Sequence, residues 1–109
     1  MGRRNKNLEP YLCYTVLTVS KGKWEAHVIN LDDTSATGSS KAEVMKKVMA
    51  IAQSYCDDLA DEGILPPRGK HGRVPHGCDE KMQLGFFVYV DRARTIQGFE
   101  SRMAALAAS

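Results

Sequence analysis

The densest group of side chains able to hold a metal ion or carry a proton is His71-x4-His76-x-Cys78, in a stretch that also contains Gly69, Gly72, Pro75 and Gly77. Imidazole and thiolate are donors that zinc accepts, but this spacing with a single cysteine matches no standard zinc pattern. A fourth ligand would have to be Asp79 or a distant residue, so the stretch is expected to be a polar loop without a metal. Carboxylates are the second candidate chemistry. Two-metal nucleases hold two cations about 4 Å apart on convergent acids, whereas Asp32 and Asp33 fall in a loop and Asp57, Asp58, Asp61 and Glu62 crowd the polar side of a helix. Acids so placed are normally solvated. His27 shares a strand face with Glu25, and no Ser-His-Asp or Cys-His spacing supports nucleophilic catalysis. No catalytic residue, metal or cofactor is expected, and the chain is read as a non-enzyme.

Phosphate recognition is the third chemistry. Arg68, Lys70, His71 and Arg73 form one basic cluster, the tail Arg3-Arg4-Asn5-Lys6 forms another, and Arg92 and Arg94 add charge beside a strand. Lysine and arginine at such sites can meet phosphate oxygens. Yet 15 basic and 13 acidic side chains give a formal net charge of only +2, which does not suggest nucleic-acid binding by the domain as a whole. Neither cluster contains an aromatic residue to stack on bases. Trp24, Phe86, Phe87 and Tyr89 are expected in the core instead, because the neighbouring strand positions on both faces are apolar.

These residues are carried by a simple order of elements. Tyr11 to Val19 is rich in Tyr, Thr and Val and reads as a strand. Ser20-Lys21-Gly22-Lys23 supplies a turn, and Trp24 to Asn30 alternates as the second arm of a hairpin. Thr34 to Thr37 makes a short third strand before Gly38. Ser40-Lys41-Ala42-Glu43 has the spacing of a capping box, so a helix starts there. Val44, Val48, Ile51, Ala52, Tyr55 and Leu59 give it an apolar stripe, and Gly63 stops it, which predicts one helix over 41–62. Ile64-Leu65-Pro66-Pro67 forces an extended exit, and residues 68–80 form the longest loop. Leu84 to Asp91 is a strand in which Gly85 marks a bulge or close approach. A terminal helix over 95–108 follows, with Ile96, Phe99, Met103 and Leu106 at helical spacing. The order is that of an α+β domain, a three- to four-stranded, mostly antiparallel sheet packed by one long helix, with a short C-terminal helix.

Length and composition set the class. The chain has 109 residues, 43% of them apolar and 26% charged, which fits one ordinary folded domain. The expected division is a flexible basic tail over 1–10, the α+β domain over 11–92 and the helix over 93–109. No apolar run approaches the ~18 residues that cross a bilayer, and no apolar core follows Met1-Gly2-Arg3-Arg4. Gly2 does not make a myristoylation site, because Lys6 stands where that motif has Ser or Thr. A cytoplasmic protein without membrane contact is expected, with Cys13, Cys56 and Cys78 as free thiols.

Taken together, residues 14–67 resemble the HicB-like antitoxins of bacterial toxin–antitoxin pairs. The resemblance rests on Tyr14-Thr15-Val16, on Gly22 and Trp24 followed by Glu25-Ala26-His27-Val28, on Thr37-Gly38-Ser39-Ser40-Lys41-Ala42-Glu43, and on Tyr55, Leu59, Gly63, Ile64, Pro66 and Pro67. Val88 and Val90 would be the closing strand. Two features depart from the pattern: Leu31-Asp32-Asp33-Thr34 replaces the Pro-Gly-Cys often found after the second strand, and the loop before the last strand is longer. The stretch after Asp91 is too short for a helix-turn-helix, so operator binding is not expected.

The resemblance implies a partial ribonuclease-H-type fold and a non-enzymatic protein that sterically masks a HicA-type RNA-cleaving toxin. The same fold would also serve a phage or mobile-element inhibitor of the anti-CRISPR kind, or a small nucleic-acid-binding protein using the loop at 68–73. A homodimer is expected from the open sheet edge and from the stripe of Ile96, Phe99, Met103 and Leu106, which needs a surface to cover it.

Overall fold

The computed structural model describes residues 8–31, 33–66 and 80–108. Four strands and two helices follow in the order β1 (Leu8–Ser20), β2 (Lys23–Val28), β3 (Ser35–Gly38), α1 (Lys41–Asp61), β4 (Glu80–Asp91) and α2 (Arg92–Ala108). The strands form one sheet in the order β3-β2-β1-β4, with every neighbouring pair antiparallel. This is the expected α+β architecture. The His71, His76 and Cys78 cluster, the basic loop residues Arg68, Lys70 and Arg73, and the tail at 1–7 lie outside the described residues.

The hairpin between β1 and β2 is closed by Lys21 and Gly22, both at positive φ, 51° and 76°. That pair of left-handed residues makes the type I′ turn whose twist matches the flanking strands. β1 reaches back to Leu8, so the last three residues of the expected tail, including Pro10, are strand. Pro10 costs no ladder bond. It sits opposite Tyr89, and the even-numbered residues of β1 aim their backbone groups away from β4, as the Tyr14 carbonyl shows by accepting from Ile29 N at 2.8 Å.

Where β2 ends, Asn30 takes its place beside β1. Its Oδ1 accepts from Tyr14 N at 2.9 Å and its Nδ2 donates to Leu12 O at 3.2 Å, so a buried side-chain amide continues the ladder.

The long helix starts as the sequence predicts. Ser40 is the N-cap, its hydroxyl accepting from Glu43 N at 3.1 Å. Glu43 reaches one residue further back than the ordinary capping box, accepting from Ser39 N at 3.0 Å and Ser39 Oγ at 2.7 Å. Its end is a Schellman motif, with Gly63 N donating to Ala60 O at 2.9 Å and Ile64 N to Leu59 O at 2.8 Å.

The buried stripe of α1 differs from the expected one. Val44, Val48, Ala52, Cys56 and Ala60 are buried, while Ile51 is exposed and Tyr55 and Leu59 are only half-buried. The spacing is four residues throughout and the buried side chains are small. Tyr55 still packs against the core from its flank, whereas Ile51 points to solvent. The core between α1 and the sheet is completed by Tyr11, Cys13, Leu17, Ala26, Val28, Phe86, Val88 and Val90.

Candidate protein-binding surface

α1 covers one face of the sheet only. On β4, Phe86, Val88 and Val90 point into the core, so Phe87 and Tyr89 stand on the opposite face, 53% and 50% exposed. This corrects the expectation that both aromatics are core. Alternation sends neighbouring positions to opposite faces, and at this end of the sheet no helix among the described residues covers the second face, whereas Thr15 to Thr18 further along β1 are buried on both faces.

The register builds a continuous apolar patch on that open face. Phe87 lies directly opposite Leu12, and Tyr89 opposite Pro10. These are the non-hydrogen-bonded pairs of the antiparallel ladder, in which side chains come closest. Gly85 extends the patch by what it lacks: a Cβ there would stand 3.1 Å from Leu12 Cδ1, so Leu12 folds over the glycine. The close approach predicted for Gly85 is therefore realised. Leu12 and Leu8 are also exposed, while Val16 and Thr18, further along the same face of β1, are buried. The exposed apolar surface is thus confined to the end of the sheet nearest α2. His27 and Glu25 share this face as expected, with His27 Nε2 3.3 Å from Glu25 Oε2.

The second exposed apolar surface lies on α2. Ile96, Phe99, Met103 and Leu106 fall on one stripe, as the sequence spacing predicts, and all four are exposed. The helix is held to the body near its start. Gly98 lies against the last turn of α1, where a Cβ would come 2.4 Å from Ala60 O, and Gly63 lies under Phe99, where a Cβ would come 2.3 Å from the Phe99 backbone. Gly63 also needs its positive φ of 75°. Gly98 escaped the sequence reading, although a glycine inside an alanine-rich helix was the available signal.

Of the expected contact residues, Arg92 and Arg94 are described. Arg94 is engaged within the chain: its guanidinium grips Asp61 through Nε and, at 2.8 Å, through Nη2, and lies 3.7 Å from Asp57. The pairing holds the Asp61 carboxyl below its usual range and Arg94 firmly protonated. Arg94 therefore clasps α2 to α1 instead of presenting a free fork to phosphate. Arg92 is exposed, with Nε 3.8 Å from Glu9 Oε1.

The remaining candidate chemistry is quiet. Among the described residues, no group of three or more His, Cys, Asp or Glu side chains could hold a metal ion. Cys13 and Cys56 are buried, and burial pushes their thiols up to about 11 and about 12, away from the thiolate form that reacts. No described helix is long and apolar enough to cross a membrane. No family model, curated protein or solved structure matches the chain.

Proposed function

We propose that this chain is a non-enzymatic protein that binds a protein partner over the open face of its sheet, in the manner of a HicB-type antitoxin masking a small RNA-cleaving toxin. The observation that carries the reading is the patch of Leu12, Phe87 and Tyr89. Three large apolar side chains sit side by side on a rigid pair of long strands, and aromatic groups in that setting are the usual anchors of protein interfaces. A steric inhibitor needs such a surface and no reactive group.

The finer assignment, to a HicA-type toxin, is supported by the β-β-β-α-β order and by the sequence segments that resemble HicB proteins. Its test is direct. Tagged protein is used to capture partners from the encoding organism at low and high salt, and the captured protein is purified and assayed for RNA cleavage with and without the chain. A small ribonuclease whose activity is suppressed by the wild type and not by Phe87→Asp or Tyr89→Asp is the expected result. A ribonuclease bound equally well by these variants, or nucleic acid released by salt as the only ligand, contradicts the reading.

A further inference from the structure

The stripe on α2 has a spacing that one helix cannot satisfy alone. Ile96, Phe99, Met103 and Leu106 are separated by three, four and three residues, which is the a-d-a-d sequence of a two-helix seam. Every residue from Phe99 to Ala108 is exposed, so the last ten residues of the helix lack the burial that stabilises most helices in proteins. The stripe is also continuous with the body. A groove of about 470 Å³ lies beside the start of α2, its lining including Glu9, Tyr11, Leu65, Arg92, Thr95 and Ile96. Leu65 in that groove is 55% exposed and Ile96 58%, and Leu106 at the far end of the helix is 61% exposed.

We infer that α2 is the interface with a second copy of this chain, packed antiparallel. About a two-fold axis between Phe99 and Met103, Ile96 meets Leu106 of the second copy and Phe99 meets its Met103, and each position is satisfied twice. This orientation brings the far end of one α2 onto the body of the other, where Leu106 can enter the groove beside Ile96 and Leu65. In a parallel pair Leu106 would meet Leu106 of the second copy, away from the groove. Together with Leu65, the stripes of two copies hold on the order of 1,000 Å² of exposed apolar surface, about the lower bound for a specific interface.

Charges border the seam without entering it. Arg102 is drawn toward the end of α1, with Nη1 3.4 Å from Glu62 O. Glu100 flanks the other side, where it approaches Glu100 of the second copy near the axis. That repulsion is exposed and screened by salt. The dimer is therefore expected to persist or tighten as salt rises, unlike an assembly held by ion pairs.

The test is sedimentation of the full chain at micromolar concentration. The wild type is expected at twice the 12.1 kDa of one chain, and Met103→Asp at the monomer mass. Circular dichroism of Met103→Asp checks that the α+β body remains folded, since Met103 is exposed in the single chain. Orientation is tested in a Cys78→Ser background under mild oxidation. Ile96→Cys combined with Leu106→Cys should form a covalent dimer, and Leu106→Cys alone should not. A monomeric wild type, a dimer untouched by Met103→Asp, or efficient cross-linking by Leu106→Cys alone would each overturn the inference.

Discussion

The side chain of Gln53 pairs with the backbone of Tyr89 as a strand would, its Oε1 accepting from Tyr89 N at 2.9 Å and its Nε2 donating to Tyr89 O at 2.8 Å. Tyr89 lies on β4, at the outer edge of the sheet, where backbone groups would otherwise offer a template to another chain. One amide from α1 thus blocks the edge beside the apolar patch and ties helix to strand. Asn30 does the same for Leu12 and Tyr14 on the other side of β1.

Replacing Gln53 by alanine is therefore expected to lower stability by about 1 kcal/mol, the net worth of a part-exposed pair of hydrogen bonds. It should also raise self-association at the freed edge. Urea denaturation and light scattering measure the two effects, and unchanged scattering with unchanged stability would show that the amide has no such role.

Gly98→Ala separates local propensity from packing. Alanine is the better helix former by about 1 kcal/mol in an isolated helix, but here its Cβ would come 2.4 Å from Ala60 O. The clash should dominate, with a net loss of about 2 kcal/mol and α2 displaced from α1. Thermal denaturation gives the sign.

Thr15 is buried in the core, and its Oγ1 has no hydrogen-bond partner among the described residues. Valine keeps the shape and the β-branching without the polar atom. Thr15→Val is expected to stabilise the fold by about 1 kcal/mol, read from the midpoint of chemical denaturation.

Acid and alkali should act through different residues. Hydrogen bonds from the Ser39 backbone and hydroxyl, aided by Lys47, hold the Glu43 carboxyl down to about 2. A lowered carboxyl contributes stability above its unfolded pKa of about 4.3, and that contribution is lost as pH falls toward 2. Glu43→Gln should be less stable than wild type at pH 7, with the difference closing near pH 2.

At the other end, Cys13 and Cys56 ionise in the unfolded chain near pH 9 but in the fold only near 11 and 12. Their contribution is complete below about pH 9 and is lost as pH rises through those values. Both should resist alkylation at pH 8 until the chain unfolds, as peptide mapping by mass spectrometry would show.

The order of elements was legible because its punctuation is local: the Lys21-Gly22 turn, the Ser40 cap and the Gly63 stop each need only their neighbours. What was not legible depends on how elements meet. Cys56 and Ala60 are buried on α1 while Ile51 is exposed and Tyr55 and Leu59 are only half-buried, and which side of a helix meets the sheet is not a property of the helix alone. Phe87 and Tyr89 look like core residues until one knows that the second face of the sheet is left exposed at their end of β4. Arg94, legible as a charge, became a clasp only once α2 was placed beside Asp61. The α2 stripe was legible in full, since its spacing of three and four residues is internal to one helix.

The central claim is that the open sheet face binds a protein. The most direct measurement is the affinity of the captured partner for wild type and for Phe87→Asp, titrated side by side at high salt. Phe87 is exposed and outside the core, so the substitution should leave the fold intact. A loss of affinity of about a hundredfold, as expected for removing a hot-spot aromatic, is the predicted result. Equal affinity for the two proteins would contradict the account.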